Sequence, residues 1–251
     1  MSLDLERPPI NEVVLGVFFG PIASLKAEAV GLFWARIRDT FPSVIQQPVY
    51  TQQSPLMPQP GELFPLARFW FLSRDKSRLI QLQNGGFLYN WRKQDGDYPR
   101  FSRIFVGFLE HLQSFQKFLE DDLAIGIPPF TSAELTYINL FGTLESLAKP
   151  SDYKRVVETF SEHSELQQNL TLENFVHVDF FRSPDGDQLI VTQRSMRQPS
   201  EERTNFIMEL KVTGPLAGSL TDWFGNAHNK INESFVRLTT HEMQSNVWRK
   251  K

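Results

Sequence analysis

Apolar positions along this chain recur with two different periods. Residues 10–19 are apolar, β-branched or aromatic at most positions, the pattern of a buried strand. Over 22–40 the stripe Ile22, Leu25, Ala29, Leu32, Phe33, Ile37 and Phe41 predicts a helix, closed by Pro42. Strands are predicted at about 66–73, 78–83 and 86–93. Arg74-Asp75-Lys76-Ser77 turns the first, and Asn84-Gly85-Gly86, tolerant of positive φ, turns the second. A helix over about 99–121 follows, with Phe101, Ile104, Phe105, Phe108, Leu112, Phe115 and Leu119 on one face. Pro99 suits its first turn, while Glu120, Asp121 and Asp122 sit against the helix dipole at its end.

The later half repeats this order. A strand at about 133–141 leads to a helix around 151–163, carrying Tyr153, Val156, Val157 and Phe160. Strands at about 172–182, 187–196 and 204–213 come next, the first two joined by the turn Ser183-Pro184-Asp185-Gly186. A final helix spans about 219–246, with Leu220, Trp223, Phe224, Ala227, Ile231, Phe235, Leu238 and Met243 as its apolar stripe. The two halves open alike: Pro8-Pro9-Ile10-Asn11-Glu12 before one strand, Pro128-Pro129-Phe130 before Glu134 in the other. One spacing separates both Glu12 from Glu134 and Gly20 from Gly142. The fold class is therefore α+β: two pseudo-repeated β-α-β-β-β-α units, residues 1–127 and 128–251, forming one globular domain by duplication. In element order this resembles the duplicated TATA-binding-protein-like or helix-grip arrangement, a curved antiparallel sheet packed on two long helices.

Several segments together resemble a sporadically distributed, functionally uncharacterised bacterial protein family of about this length. They are Pro-Pro-Ile-Asn-Glu-Val-Val-Leu-Gly-Val at 8–17, Gly-Leu-Phe-Trp at 31–34, and Asn90-Trp91-Arg92-Lys93 followed by Tyr98-Pro99-Arg100-Phe101. Glu134-Leu135-Thr136-Tyr137-Ile138-Asn139 and the terminal Phe235, Leu238, Thr239, Thr240, Met243 and Trp248 complete the set. The resemblance implies a bacterial intracellular protein from mobile or defence-related gene neighbourhoods. It carries no catalytic residues over.

Composition narrows the chemistry. The net charge of −3 argues against a nucleic-acid binder, and the absence of cysteine removes disulfides, thiolate nucleophiles and Cys-based metal sites. The 22 Phe residues fall mostly at periodic positions and read as core. The polar, proline-stopped N-terminus does not read as a signal peptide, and no apolar run approaches the roughly 20 residues a membrane span needs. The expectation is a cytoplasmic protein without a resident cofactor.

The sharpest local feature is the corner Trp91, Arg92, Lys93, Tyr98, Arg100 and Arg103. Strand alternation puts Tyr89, Trp91 and Lys93 on one face and Asn90 and Arg92 on the other. Arg100 and Arg103 fall at a helix start, where free backbone N–H groups attract anions. Such a corner suits an anion or an acidic partner, or simply packs Trp91 and Tyr98 while the basic residues pair with Asp95, Asp97 or Glu110. Glu12 and Glu134 occupy equivalent places, yet pseudo-symmetry does not bring two carboxylates together for acid–base work. His111, His163, His177, His228 and His241 lack metal-ligand spacing, and His228 reads as a satisfied, partly buried residue. Arg182, Arg194, Arg197 and Arg203 beside Phe180 and Phe181 suggest a nucleic-acid surface, opposed by Asp185, Asp187, Glu201 and Glu202 nearby. The Pro-rich stretch 46–65 is a loop, either a binding or lid segment or plain surface.

These features favour a non-enzymatic binding or regulatory protein acting through a protein partner, antitoxin-like or defence-associated. The alternatives are a receptor for a small anionic ligand or nucleotide, held in a cavity between sheet and helices, and a nucleic-acid-binding module.

Overall fold

The structure is a computed structural model that describes residues 5–48, 66–142, 144–145, 147–158, 160, 172–197 and 204–249. Most of the expected loop 46–65, the end of the expected helix 151–163, and Arg203 lie outside these residues. The architecture is α+β. Among the described residues nine strands form antiparallel sheet: Ser43–Gln47, Arg68–Leu72, Arg78–Gln83, Gly86–Arg92 and Ile10–Phe19 neighbour one another in that order, as do Phe130–Phe141, Thr204–Pro215, Gln188–Arg197 and Val176–Arg182. The chain divides into two compact units, Val13–Glu134 and a second made of Met1–Glu12 with Leu135–Lys251.

The unit Val13–Glu134 is built from β1 (Ile10–Phe19, whose first residues belong to the other unit), α1 (Ala27–Ile37), β2 (Ser43–Gln47), β3 (Arg68–Leu72), β4 (Arg78–Gln83), β5 (Gly86–Arg92) and α2 (Phe101–Asp121). Its core is aromatic because α1, α2 and the strands all present phenylalanine inward. Phe33 of α1 meets Phe71, Phe115 and Phe118 at 5.8, 5.5 and 5.4 Å between ring centroids, and Phe115 stacks on Phe87 at 5.3 Å. All five are essentially excluded from solvent. Edge-to-face and offset ring pairs of this kind add to the burial of apolar area. The turn after β4 behaves as its sequence demands. Gly85 takes φ +96°, and the Asn84 side chain accepts a bond from the Ile22 N–H at 2.7 Å. The acidic end of α2 is offset by Arg36 of α1, which pairs with both Asp121 and Asp122.

Two local expectations change here. Gln46 and Gln47, expected as the start of the loop 46–65, instead end a strand, Ser43–Gln47, paired antiparallel with β3. Helix α2 begins at Phe101, so Pro99 precedes the helix instead of occupying its first turn.

The second unit contains β6 (Phe130–Phe141, beginning in the other unit), β7 (Val176–Arg182), β8 (Gln188–Arg197), β9 (Thr204–Pro215) and α3 (Leu220–Leu238). Phe206, Met208, Leu210 and Val212 alternate along β9 as fully buried residues. Leu210 shares a cavity wall with Ile231 and Phe235, which places this face of β9 under α3. A 3-10 helix at Pro150–Arg155 stands where a full α-helix is expected. The reason is tertiary: Val157 bridges Thr239, and the Thr240 N–H donates to the Val156 carbonyl at 2.9 Å. The same pairing ends α3 at Leu238, short of the expected 246. Thr239 is extended, its hydroxyl returns to the Phe235 carbonyl at 2.7 Å, and a π-helical turn at Met243–Val247 follows separately.

The β7–β8 hairpin is pinned to α3. Lys230 Nζ lies 2.6 Å from both Asp185 and Asp187, and the Trp223 indole N–H donates to Asp187 at 3.2 Å. Gly214, beside the β8–β9 pairing, leaves the space in which the Asp187 side chain lies. A Cβ there would overlap Asp187 Oδ1 and stand 3.1 Å from its Cα. Gly214→Ala is therefore expected to cost about 1–3 kcal/mol, as overpacking does, read as a lower urea midpoint. An unchanged midpoint would show that Asp187 moves freely and that the pin is weak.

Candidate binding site at the start of the second helix

Trp91 and Arg92 end β5, and the chain then runs through Lys93 and Tyr98 into α2. The corner forms as its residue types suggest. The Trp91 and Tyr98 rings meet edge to face at 5.4 Å and both are half-buried. Arg92 is half-buried, and its backbone N–H donates to the Ser77 carbonyl at 2.8 Å, fixing the strand end against the β3–β4 turn. Lys93, Arg100 and Arg103 are exposed. Helix packing brings α2 close to the sheet: a Cβ on Gly107 would stand 2.9 Å from the Tyr89 hydroxyl. Tyr89 thus faces α2, and alternation along β5 puts Trp91 on the same face of the strand.

The helix start has an unusual construction. Arg100 is the N-cap residue, with φ +73° and ψ 151°, and no side chain caps the helix. This backbone region strongly favours glycine, and a larger residue there costs on the order of 1–3 kcal/mol. No acidic residue lies in the first turn, and Arg103 occupies it instead. Cations at a helix N-terminus oppose the macrodipole. Helix α3 shows the ordinary solution: Ser219 accepts the Asp222 N–H at 3.1 Å, and Asp222 supplies first-turn negative charge. The strain at Arg100 was not legible, since the sign of φ at an arginine has no sequence signature.

The remaining candidates resolve differently. Glu134 is buried on β6 and Glu12 half-buried on β1, and each engages other groups. His228 is held by Tyr137 (Oη to Nδ1, 2.9 Å) and Asn232 (Nδ2 to Nε2, 3.1 Å), and burial lowers its pKa to about 4. It is a satisfied neutral imidazole. Beside it, a cavity of about 30 Å³ is bounded by Leu5, Pro9, Tyr137, Asn139, Ile231 and Phe235. That is room for a water or two, far below the several hundred Å³ of a metabolite site. Arg182 and Arg194 are exposed. Among the described residues no group of His, Asp and Glu could hold a metal ion, and no helix is long and apolar enough to cross a membrane. Comparison with protein-family models and with curated proteins finds no match to this chain.

Proposed function

We propose that this protein is a non-enzymatic binding protein whose Trp91–Arg103 corner docks an acidic segment of a protein partner, as an antitoxin-like or defence-associated regulator would. One observation carries the reading: a long helix starts uncapped at a strained arginine, with a second arginine in its first turn. A carboxylate bound there would meet the positive end of the helix dipole and the exposed Arg103 guanidinium together. Trp91 and Tyr98 supply the half-buried aromatic surface that anchors interfaces. The cavity by Tyr137 is water-sized, so it does not itself favour a small-ligand receptor.

The same proposal takes the two units as a duplicated helix-grip or TATA-binding-protein-like plan. Its support is a matched pair of hairpin turns. Ser73 and Ser183 each bond the carboxylate two residues on, Asp75 and Asp185. The backbone N–H of each serine donates to the carbonyl that closes the turn, that of Arg78 or of Asp187. Each turn then has one residue at positive φ, Lys76 or Gly186. The copies differ at their helix starts, and the uncapped one is where binding is placed.

A fluorescein-labelled Glu-rich peptide tests the reading by anisotropy at low and moderate salt. Arg103→Ala and Arg100→Gly should both weaken binding. Glycine relieves the positive φ, so Arg100→Gly should hold or raise stability by up to about 1 kcal/mol. No binding by the natural chain, or binding by both variants as tight as that of the natural chain, defeats the proposal.

A further inference from the structure

Strand β7 closes one end of the sheet order, and among the described residues no strand pairs with its outer edge. Its sequence is Val176-His177-Val178-Asp179-Phe180-Phe181-Arg182. Val176, Val178, Phe180 and Phe181 are 71, 41, 66 and 52% exposed. Sheet edges are usually blunted by lysine, proline or a bulge, because an open row of N–H and C=O groups templates another strand. Residues 176–182 contain neither lysine nor proline and pair with β8 without interruption.

We infer that this edge pairs with the same edge of a second copy of the chain, antiparallel and centred on Val178. The register follows from two observations. First, the Ser195 N–H donates to the Phe175 carbonyl at 3.0 Å. Backbone groups alternate in direction along an antiparallel strand, so those of 175, 177, 179 and 181 point to β8, and those of Val176, Val178 and Phe180 point outward. The outward set must supply the hydrogen-bonded pairs of any new ladder. Second, side chains select among the registers that satisfy this. Centred on Val178, the pairs are Val178 with Val178, and Val176 with Phe180 twice, all on one face. The other face then sets His177 opposite Asp179 twice, at the closely spaced positions without backbone bonds. Those two residues already attract one another within a strand, Nε2 to Oδ1 at 3.0 Å. Centring on Asp179 instead opposes two carboxylates directly, which destabilises a sheet. Centring on His177 opposes two imidazoles and leaves Phe180 without an apolar partner. Only the Val178 register is complementary on both faces, and it is self-complementary, as a two-fold interface requires.

Strand β7 and the corner at α2 belong to different units, and the residues tested do not overlap, so the two ideas fail independently. Light scattering on the full chain should give twice the 29.1 kDa chain mass. Val178→Lys, which opposes two ammoniums across the two-fold axis, and Phe180→Lys should each give the monomer mass with an unchanged circular-dichroism spectrum. The chain lacks cysteine, so single cysteines report the register cleanly. Val178→Cys should form an intermolecular disulfide on mild oxidation, because directly opposed Cα atoms about 5.5 Å apart lie within disulfide reach. Val176→Cys should not cross-link to itself. A monomer at high concentration overturns the inference. So does a dimer that both lysine variants leave intact or that Val44→Lys on β2 dissolves, a cross-link at 176 in place of 178, or an edge found covered by a different protein.

Discussion

Between pH 6.5 and about 4 this protein should lose stability, and two histidines should account for much of the loss. His111 lies on α2 between the rings of Phe41, at 5.0 Å, and Tyr89, at 5.3 Å. Burial, with a further contribution from the Arg78 cation, lowers its pKa to about 4. His228 on α3 is lowered to about 4 by burial alone. In the unfolded chain both titrate near 6.5. Below that pH the unfolded state binds protons that the folded state refuses, so stability falls as pH drops, levelling off below about 4. A difference of this size corresponds to about 3 kcal/mol per histidine, against a total stability of about 5–15 kcal/mol for a typical domain. The carboxylates act elsewhere. Serine hydroxyls hold Asp75 near 2, and Lys230 with Ser183 holds Asp185 near 2, so their stabilisation is present above 3.8 and is lost only as pH falls below that value. Urea unfolding at pH 7, 5.5 and 4.5 reads the loss. His111→Phe keeps an aromatic ring between Phe41 and Tyr89 and should flatten the slope by about one proton. His228→Gln, which still offers a donor and an acceptor to Tyr137 and Asn232, should do the same. Slopes identical to that of the natural chain would show that neither imidazole titrates in this window.

The elements that could be read from the sequence are those where local chemistry and tertiary packing agree. The Ser-Arg-Asp and Ser-Pro-Asp-Gly turns carry their own hydrogen-bonding side chains, and Asn84-Gly85 supplies the positive φ its hairpin requires. The Phe-rich stripe of α2 is unambiguous because it repeats for five turns. Where a short stretch borrows its partner from far along the chain, periodicity misleads. Tyr153, Val156, Val157 and Phe160 have helical spacing, yet the backbone at 156–158 is hydrogen-bonded to residues 238–240. The same long-range pairing interrupts the last helix at Thr239. Strand β2 escaped notice because its five residues include only Val44 and Ile45 as apolar positions, both substantially exposed, and its identity rests on pairing with β3. At the candidate site, the Trp91–Tyr98 contact followed from residue types. The strained cap at Arg100 did not, because nothing in an arginine codon specifies a left-handed backbone. The β7 edge lay within view as Phe180 and Phe181, but its openness depends on strand order.

Trp248→Ala should unfold the second unit more readily than any other single change at its C-terminal end. The side chain is fully buried, 5.6 Å from the Phe141 ring and 5.2 Å from Phe235. Its indole N–H donates at 3.0 Å to Glu145 Oε1, a carboxylate only 3% exposed, whose other oxygen accepts the Gly142 N–H at 2.8 Å. The backbone around it is clasped as well: the Arg7 N–H donates to the Trp248 carbonyl and the Glu6 N–H to that of Arg249, each at 3.1 Å. The side chain thus joins the exit of β6 to the end of α3, while the backbone beside it holds the residues before β1. Truncation to alanine removes a large aromatic volume, a loss of about 3–5 kcal/mol. It also leaves a buried carboxylate oxygen without its donor, worth a further 1–3 kcal/mol or so. Trp248→Phe separates the two effects, keeping most of the ring packing while deleting the donor. Urea midpoints should therefore rank natural chain, then phenylalanine, then alanine, with the phenylalanine step near 2 kcal/mol as expected for a bond to a charged group. If phenylalanine matches alanine, the hydrogen bond to Glu145 outweighs the packing. If alanine costs under about 1 kcal/mol, the C-terminal segment contributes little to the fold and its close packing is dispensable.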